Sequence, residues 1–352
     1  MKILVINPGS TSTKIAVFDD ETELMSKSLA HTADELLRFD KVTDQCNFRL
    51  NLINKALRES GYDIDFDAVI ARGLLARPVK GGVYAVTEKM LDAAWNCSHQ
   101  HAADLGCILA DRIARNIPEC KCLIADPGTV DELNDYARIS GSPHCPRVCI
   151  WHALNQRAIA RRYCKEYGKK YEDVNLIICH LGGGISIAAH DHGQAVDATN
   201  ALDGEGPFSP ERAGSLPAGA LVHLSYSGRY TEQQLLNRIA GKAGLTAHLG
   251  TNDMREVIRR IEAGDEKAKL ITDAMIYHVA KYIAADTAVL FGKVDAILLT
   301  GGVAYSDYVI DSLKPRIEWI APVHVYPGED EMKALANNAL MALTGECAVK
   351  EY

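Results

Sequence analysis

The sequence predicts an α/β protein built as a duplicated domain, because one pattern occurs twice. Ile3 to Ile6 are apolar and mostly branched, as in a buried strand. Asn7-Pro8-Gly9-Ser10-Thr11-Ser12-Thr13-Lys14 follow as a small, hydroxyl-rich turn, and Ile15 to Phe18 resume a strand that ends at Asp19-Asp20. The second copy runs through Leu176 to Cys179, His180-Leu181-Gly182-Gly183-Gly184, Ile185 to Ala188 and Asp191-His192-Gly193. Length is a further observation: 352 residues suit two domains of roughly 150 each. Hydrophobic residues make up 47% of the chain, enough for a sizeable core.

Each tip suits an anionic phosphate. Glycine allows close backbone approach, hydroxyls and N–H groups donate, and Lys14 supplies charge. The pairing predicts two phosphate-facing hairpins opposed across a cleft. The competing reading is two unrelated tight hairpins in a large α/β protein.

Composition narrows the partners. The net charge is −8 and no basic run stands out, which argues against nucleic-acid binding. The ten cysteines lack paired CxxC spacing, so most are expected to be reduced structural thiols of a cytoplasmic protein. Lys2 runs straight into the first strand, so no signal segment is expected. No stretch approaches eighteen apolar residues, so neither is a transmembrane helix.

The remaining elements follow in order. A strand is predicted over 23–30, and Thr32 with Glu35 predicts a capping box. A helix is predicted over 42–59, ending at Gly61, then a strand over 67–71 that runs out at Arg72, a position suited to ligand contact in an open sheet. Thr87 should cap one helix, and a second spans 98–116, with His99 and His101 near its start as surface or helix-end residues. Cys122 to Ala125 deliver Asp126 at a strand end, placed either to hold Mg²⁺ or water or to cap the turn. The polar stretch 139–146 marks the domain boundary, giving domains of 1–150 and 151–352.

His152 opens a helix to about Tyr167, and 194–197 is a strand. The Gly- and Pro-rich run 203–214 is an irregular loop carrying Arg212. A helical insertion occupies about 217–291, with helices at 218–226, 231–240, 253–262 and 265–291. A strand over 294–299 leads into Gly301 and Gly302, where a nucleotide can lie against backbone. A helix over 307–314, a strand over 323–326 and a helix over 331–343 finish the chain, the last helix being a candidate to pack back on the first domain.

Together these motifs resemble the acetate/butyrate kinase (acetokinase) family, within the group of sugar kinases, hsp70 and actin. The matching residues are Asn7 to Lys14, Arg72, Asp126, His152, His180 to Gly184, Arg212, Thr300 to Val303 and Glu329 to Glu331. The first stretch, Asp126-Pro127, the loop 204–219 and the length look more like the butyrate-type members. Acetate kinases often carry Asn in the second tip, where this chain has Gly183.

The resemblance implies two ribonuclease-H-like domains with ATP or ADP between them, Mg²⁺, and reversible phosphoryl transfer to a small-molecule carboxylate. On that basis Arg72 is assigned to the acyl carboxylate, Arg212 to the transferring phosphoryl group and His152 to a hydrogen bond with its oxygens. Surface ion pairs for the two arginines, and a plain helix-end role for His152, are the competing readings. Asn7, Ser10, Ser12 and Lys14 on one side, and His180, Gly182, Gly183 and Gly184 on the other, are assigned to phosphate, Gly301 and Gly302 to adenosine. Asp126 and Glu331 are the candidate metal holders, with Glu329 as the alternative to Glu331. Butyrate is the expected acid, against acetate, propionate or a branched-chain acid. A non-catalytic ATP-binding regulator is the reading from another class. A homo-oligomer is expected.

Overall fold

Two mixed sheets carry the fold, described by a computed structural model for residues 1–62, 65–73, 76–97 and 101–352. The chain divides into two units. Unit 1 comprises Met1–Asp131 with Asp330–Tyr352, and unit 2 comprises Glu132–Glu329.

In unit 1, β1 (Lys2–Pro8), β2 (Ser12–Asp19) and β3 (Thr22–Ala30) form an antiparallel meander. β4 (Ala68–Ala71) lies parallel to β1, and β6 (Lys121–Ala125) parallel to β4, with β5 (Val83–Ala85) antiparallel to β6 beyond it. The short strand Val349–Lys350 completes a seven-stranded sheet. In unit 2, β7 (Asn175–Leu181), β8 (Ile185–Asp191) and β9 (Gln194–Ala198) form the corresponding meander. β10 (Ala296–Gly301) lies parallel to β7, and β11 (Val323–Pro327) parallel to β10.

The duplication extends to single hydrogen bonds. Lys2 N donates to Asp67 Oδ2 at 2.7 Å, while Asp67 N donates to Lys2 O at 2.8 Å. In the second copy, Asn175 N donates to Asp295 Oδ2 at 2.9 Å and Asp295 N to Asn175 O at 2.8 Å. The register also shifts at matching places, between Val17 and Phe18 in β2 and between Ala189 and His190 in β8. In both cases the extra residue lies on the partner strand, Leu24 in β3 and Val196 in β9. Asn7 of β1 and His180 of β7 therefore occupy equivalent positions, each beside its tip.

Burial follows from these strands. Ile3 to Ile6 and Leu176 to Cys179 are wholly buried because helices cover the sheets, so their apolar runs do not alternate. The helix Leu105–Ala114 packs on β4 and β6, and the helix Ala153–Glu166 on β7 and β10. Between β9 and β10 come the helices Ala218–Ser225, Glu232–Ile239, Gly244–Leu249, Met254–Glu262 and Glu266–Val289. Thr231 and Asp265 cap two of them with side-chain hydrogen bonds. No described helix is long and apolar enough to cross a membrane.

The boundary differs from the sequence expectation. The chain divides after Asp131 rather than near residue 150, and the last helix, Glu331–Thr344, belongs to unit 1, packing on β1, β4 and β6. The polar run 139–146 lies within unit 2. Arg147, which follows it, bonds to Ala137 O at 2.6 Å, Glu205 Oε1 at 2.8 Å and Asp197 Oδ1 at 2.9 Å. Burial opposes that charge, but the bonds to Asp197 and Glu205 more than offset it and hold the guanidinium above its usual range. The helix expected over 98–116 is observed as a 3-10 turn, Ala102–Asp104, followed by Leu105–Ala114; His99 and its neighbours Ser98 and Gln100 lie outside the described residues.

Candidate active site

In unit 1, the β1–β2 tip is closed by Gly9 N donating to Ser12 O at 2.8 Å. Ser10 and Lys14 are exposed and Ser12 is half-buried. Lys14 stands opposite Asn7 in the ladder. Beneath the tip lies Arg49, only 1% exposed. It donates to Gly9 O at 2.9 Å, Ser12 O at 3.2 Å and Thr13 Oγ1 at 3.0 Å, and Gln45 Oε1 holds its other edge. Burial pushes this guanidinium down to about 10, so it stays a cation at neutral pH. A buried positive charge that draws the tip's carbonyls to itself favours an anion on the tip's outer side.

Arg72, Asn7 and Glu331 converge in the same unit. Arg72 Nη1 lies 2.8 Å from Glu331 Oε1 and 2.9 Å from Oε2, and Asn7 Nδ2 donates to Oε2 at 2.6 Å. The sequence treats Arg72 and Glu331 as separate actors, one for an acid and one for a metal. The structure couples them, with both contacts running through Nη1. Asp126 is 2% exposed with φ of +39°. Its Oδ1 accepts from Gly82 N at 2.7 Å and its N donates to Gly82 O at 3.0 Å, so it clamps the end of β6 to the residue that leads into β5.

In unit 2, His152 and His180 stack with ring centroids 3.7 Å apart and planes 8° from parallel. His180 is 1% exposed. Its Nδ1 is 2.8 Å from Asn155 Oδ1, and its Nε2 is 3.0 Å from Glu329 Oε1. The glycine tip fits closely around them. A Cβ on Gly182 would lie 2.7 Å from His180 Nε2, and one on Gly183 would lie 3.2 Å from the Glu211 carboxylate, whereas Gly184 has room at 3.6 Å.

The loop bearing Arg212 is tied to this tip. Ser209 Oγ donates to Gly183 O at 2.6 Å, Glu211 N to Gly183 O at 3.0 Å, and Arg212 N to Ser209 Oγ at 3.0 Å. Arg212 Nη1 lies 3.6 Å from Glu211 Oε2, a loose pair. At the end of β10, Gly301 adopts φ of +92°, and a Cβ there would lie 2.3 Å from Leu181 O. Gly302 faces open space within 4 Å.

A profile of the Acetokinase family matches residues 147–314. Over its full length the chain is 60% identical to "Probable butyrate kinase" of Bacteroides thetaiotaomicron, with all of that protein covered. It is 48% identical to "Butyrate kinase 1" of Clostridium acetobutylicum, covering 100% of this chain and 99% of that protein. The chain belongs to the acetokinase family. Its fold matches the crystal structure of Porphyromonas gingivalis acetate kinase with a TM-score of 0.80 at 20% identity, covering 97% of this chain and 99% of that one. Membership of a kinase family implies use of ATP.

Several residues that shape this acetokinase site carry no local signal in the sequence. Arg49 reads as an ordinary helical arginine, yet it organises the first tip. Ser209 and Glu211 read as loop residues, yet they tether the second. Ser186, Gln156 and His190 read as strand and helix filler, but all three are fully buried and bonded to one another. A buried polar residue inside an apolar strand, such as Ser186 or His190 in β8, is the one sequence feature that singles any of them out.

Proposed function

We propose that this chain is a butyrate kinase, transferring the terminal phosphoryl group of ATP directly and reversibly to the carboxylate of butyrate to give butyryl phosphate and ADP. The observation that carries the reading is similarity over the whole chain, at 48% and 60% identity, to proteins named butyrate kinase. The same reaction on acetate, propionate or a branched-chain acid is the second reading, because an apolar pocket discriminates by only about 1–3 kcal/mol per methylene.

The chemistry assigns the roles. A short fatty acid has a pKa close to that of Glu, about 4.3, so it reaches the site ionised and needs no general base. The requirement is to bring one anion up to another, and phosphoryl transfer is governed by positioning and electrostatics. Arg212 neutralises the transferring group, supported by the tether that Ser209 makes to the glycine tip. Arg72 takes the acid's carboxylate through guanidinium nitrogens other than the Nη1 that Glu331 holds. His152 donates a hydrogen bond to the transferring oxygens. Asn7, Ser10, Ser12, Lys14, His180, Gly182, Gly183 and Gly184 bind phosphate oxygens, and Gly302 with Gly301 lies against adenosine.

Mg²⁺ is the expected metal, and Asp126 and Glu331, or Glu329, are the carboxylates to hold it. Among the described residues no three His, Cys, Asp or Glu groups form a ligating cluster. Mg²⁺ commonly keeps several waters and takes few protein oxygens. When bound it would neutralise phosphate charge. A homo-oligomer is supported by the helix Ala218–Ser225, which buries none of its residues although it is largely apolar, and by exposed Leu216, Val222 and Tyr226 around it. A cytoplasmic location is supported by free thiols at Cys46, Cys107, Cys122, Cys164 and Cys179.

The test is acyl hydroxamate formation from ATP, Mg²⁺ and hydroxylamine with acids of two to six carbons. Butyrate should give the highest kcat/KM. A higher value for another acid transfers the assignment to it, and no hydroxamate from any acid removes the activity.

A further inference from the structure

Behind His152 a buried line of polar side chains runs through unit 2. Tyr171 Oη is 2.6 Å from His190 Nδ1. His190 Nε2 is 3.0 Å from Gln156 Oε1. Gln156 Nε2 is 3.0 Å from Ser186 Oγ, and Ser186 Oγ is 2.8 Å from His152 Nδ1. Gln156, Ser186 and His190 are each 0% exposed and Tyr171 is 4% exposed, so water does not reorganise the line.

Two backbone groups give this line a direction. Gln156 Nε2 also lies 3.2 Å from the carbonyl oxygen of Ser186. A carbonyl only accepts, so the amide nitrogen, not the amide oxygen, must face Ser186. The backbone N of His152 lies 3.3 Å from Ser186 Oγ, and a backbone N–H only donates. Ser186 Oγ therefore accepts from Gln156 and from the His152 backbone, and its single proton is left for His152 Nδ1. At the other end, Gln156 Oε1 faces His190 Nε2 and must receive its proton, so His190 Nδ1 accepts from the Tyr171 hydroxyl. Every bond then points the same way, from Tyr171 toward His152. Reversing any one of them sets two donors or two acceptors face to face.

We propose that Ser186, Gln156, His190 and Tyr171 are positioning residues that hold His152 as the tautomer with its proton on Nε2, so that the ring presents an N–H donor to the transferring phosphoryl oxygens. The catalytic half of this statement rests on the donor role assigned to His152 above; the tautomer half stands on the hydrogen bonds alone. The parallel stack on His180 fixes the plane of the ring, and the line from Ser186 fixes which nitrogen carries the proton. The His152 ring lies beside the glycine tip, its Cε1 being 3.7 Å from where a Cβ on Gly184 would sit. A neutral donor set in place before the substrates arrive needs no reorganisation during transfer.

The experiment is ¹⁵N NMR of the histidine-labelled full chain at pH 7.5, using long-range correlations that separate protonated from bare ring nitrogens. His152 and His190 are assigned by loss of their signals in His152→Gln and His190→Asn. Both rings should show a bare Nδ1 and a protonated Nε2. A protonated Nδ1 on either ring overturns the proposal. Ser186→Ala should move the His152 signals toward a mixture of tautomers while leaving those of His190 in place, which also reports that the unit is folded. The same variant should lower kcat about five- to tenfold, with KM for ATP and acid within about twofold. Ser186→Thr, which restores the hydroxyl, should recover both the spectrum and kcat. An unchanged kcat in Ser186→Ala overturns the positioning role. The expected tautomers in a chain whose His152→Gln variant is fully active would overturn the donor role of His152 and leave the tautomer assignment standing.

Discussion

Gly301 and Gly302 are adjacent, but replacing each with alanine should have a different consequence. A Cβ on Gly301 would lie 2.3, 2.6 and 2.8 Å from the O, C and N of Leu181. Those are backbone atoms of β7, a strand paired on both sides by β8 and β10, so it cannot move aside. The residue also holds φ of +92° with ψ of 169°, a region essentially limited to glycine, where an L side chain costs about 1–3 kcal/mol. Forcing a methyl into a packed site adds about 1–3 kcal/mol. The sum, about 2–6 kcal/mol, corresponds to a fall in Tm of roughly 4–24 °C for a unit of this size. Gly302 has nothing within 4 Å of its Cβ position and an ordinary φ, so Gly302→Ala should melt within about 2 °C of the parent. Thermal melts of both variants without nucleotide, followed by KM for ATP, make the comparison. Gly302→Ala should raise KM for ATP at near-native stability. If Gly301→Ala melts like the parent, the close approach of β10 to β7 is not what that glycine serves.

Other substitutions test the remaining assignments. Arg212→Ala should lower kcat about 10²–10³-fold while ATP affinity, measured by calorimetry, changes little, and Arg72→Ala should raise KM for the acid more than for ATP. Arg49→Met leaves the Gly9 carbonyl without its buried donor, at about 1–3 kcal/mol, while the Ser12 carbonyl keeps the bond from Gly9 N. A lower Tm together with weaker ATP binding is expected, and wild-type values of both would remove Arg49 from the tip. His190 supplies a pH dependence: burial first, and the Arg157 charge second, push its pKa down to about 3 from an ordinary 6.5. Between those values the unfolded chain binds a proton that the folded chain does not. The stability from His190 is therefore complete above pH 6.5 and is lost as pH falls toward 3, at about 1.4 kcal/mol per pH unit. Denaturant titrations should show that slope as the difference between parent and His190→Asn, and parallel curves would refute it.

What was legible in the sequence was whatever depended on neighbours along the chain. The runs Ile3 to Ile6 and Leu176 to Cys179 announced central strands because a strand covered on both faces has no polar side to show. Thr87, Thr231 and Asp265 announced helix starts because capping is a bond within one turn. The strand Val83–Ala85 and the helix Gly244–Leu249 escaped because three and six residues carry too little period to read. The pairing of Arg72 with Glu331 spans 259 positions and has no local trace. The boundary after Asp131 escaped because Pro127-Gly128, just before it, reads as the turn that closes a strand, while the Pro- and Gly-rich run 139–146 is an ordinary loop of unit 2 held by Arg147. Gly301 was readable as a backbone approach but not as an approach to Leu181, since that neighbour comes from the other end of unit 2.

Direct passage of a phosphoryl group between a nucleotide and a carboxylate is shown most simply by the reverse reaction. Purified chain is given butyryl phosphate, ADP and Mg²⁺, and ATP is followed by luciferase alongside loss of the acyl phosphate. One ATP should appear for each butyryl phosphate consumed. Loss of the acyl phosphate without ATP, or no loss with folded protein, would contradict the account.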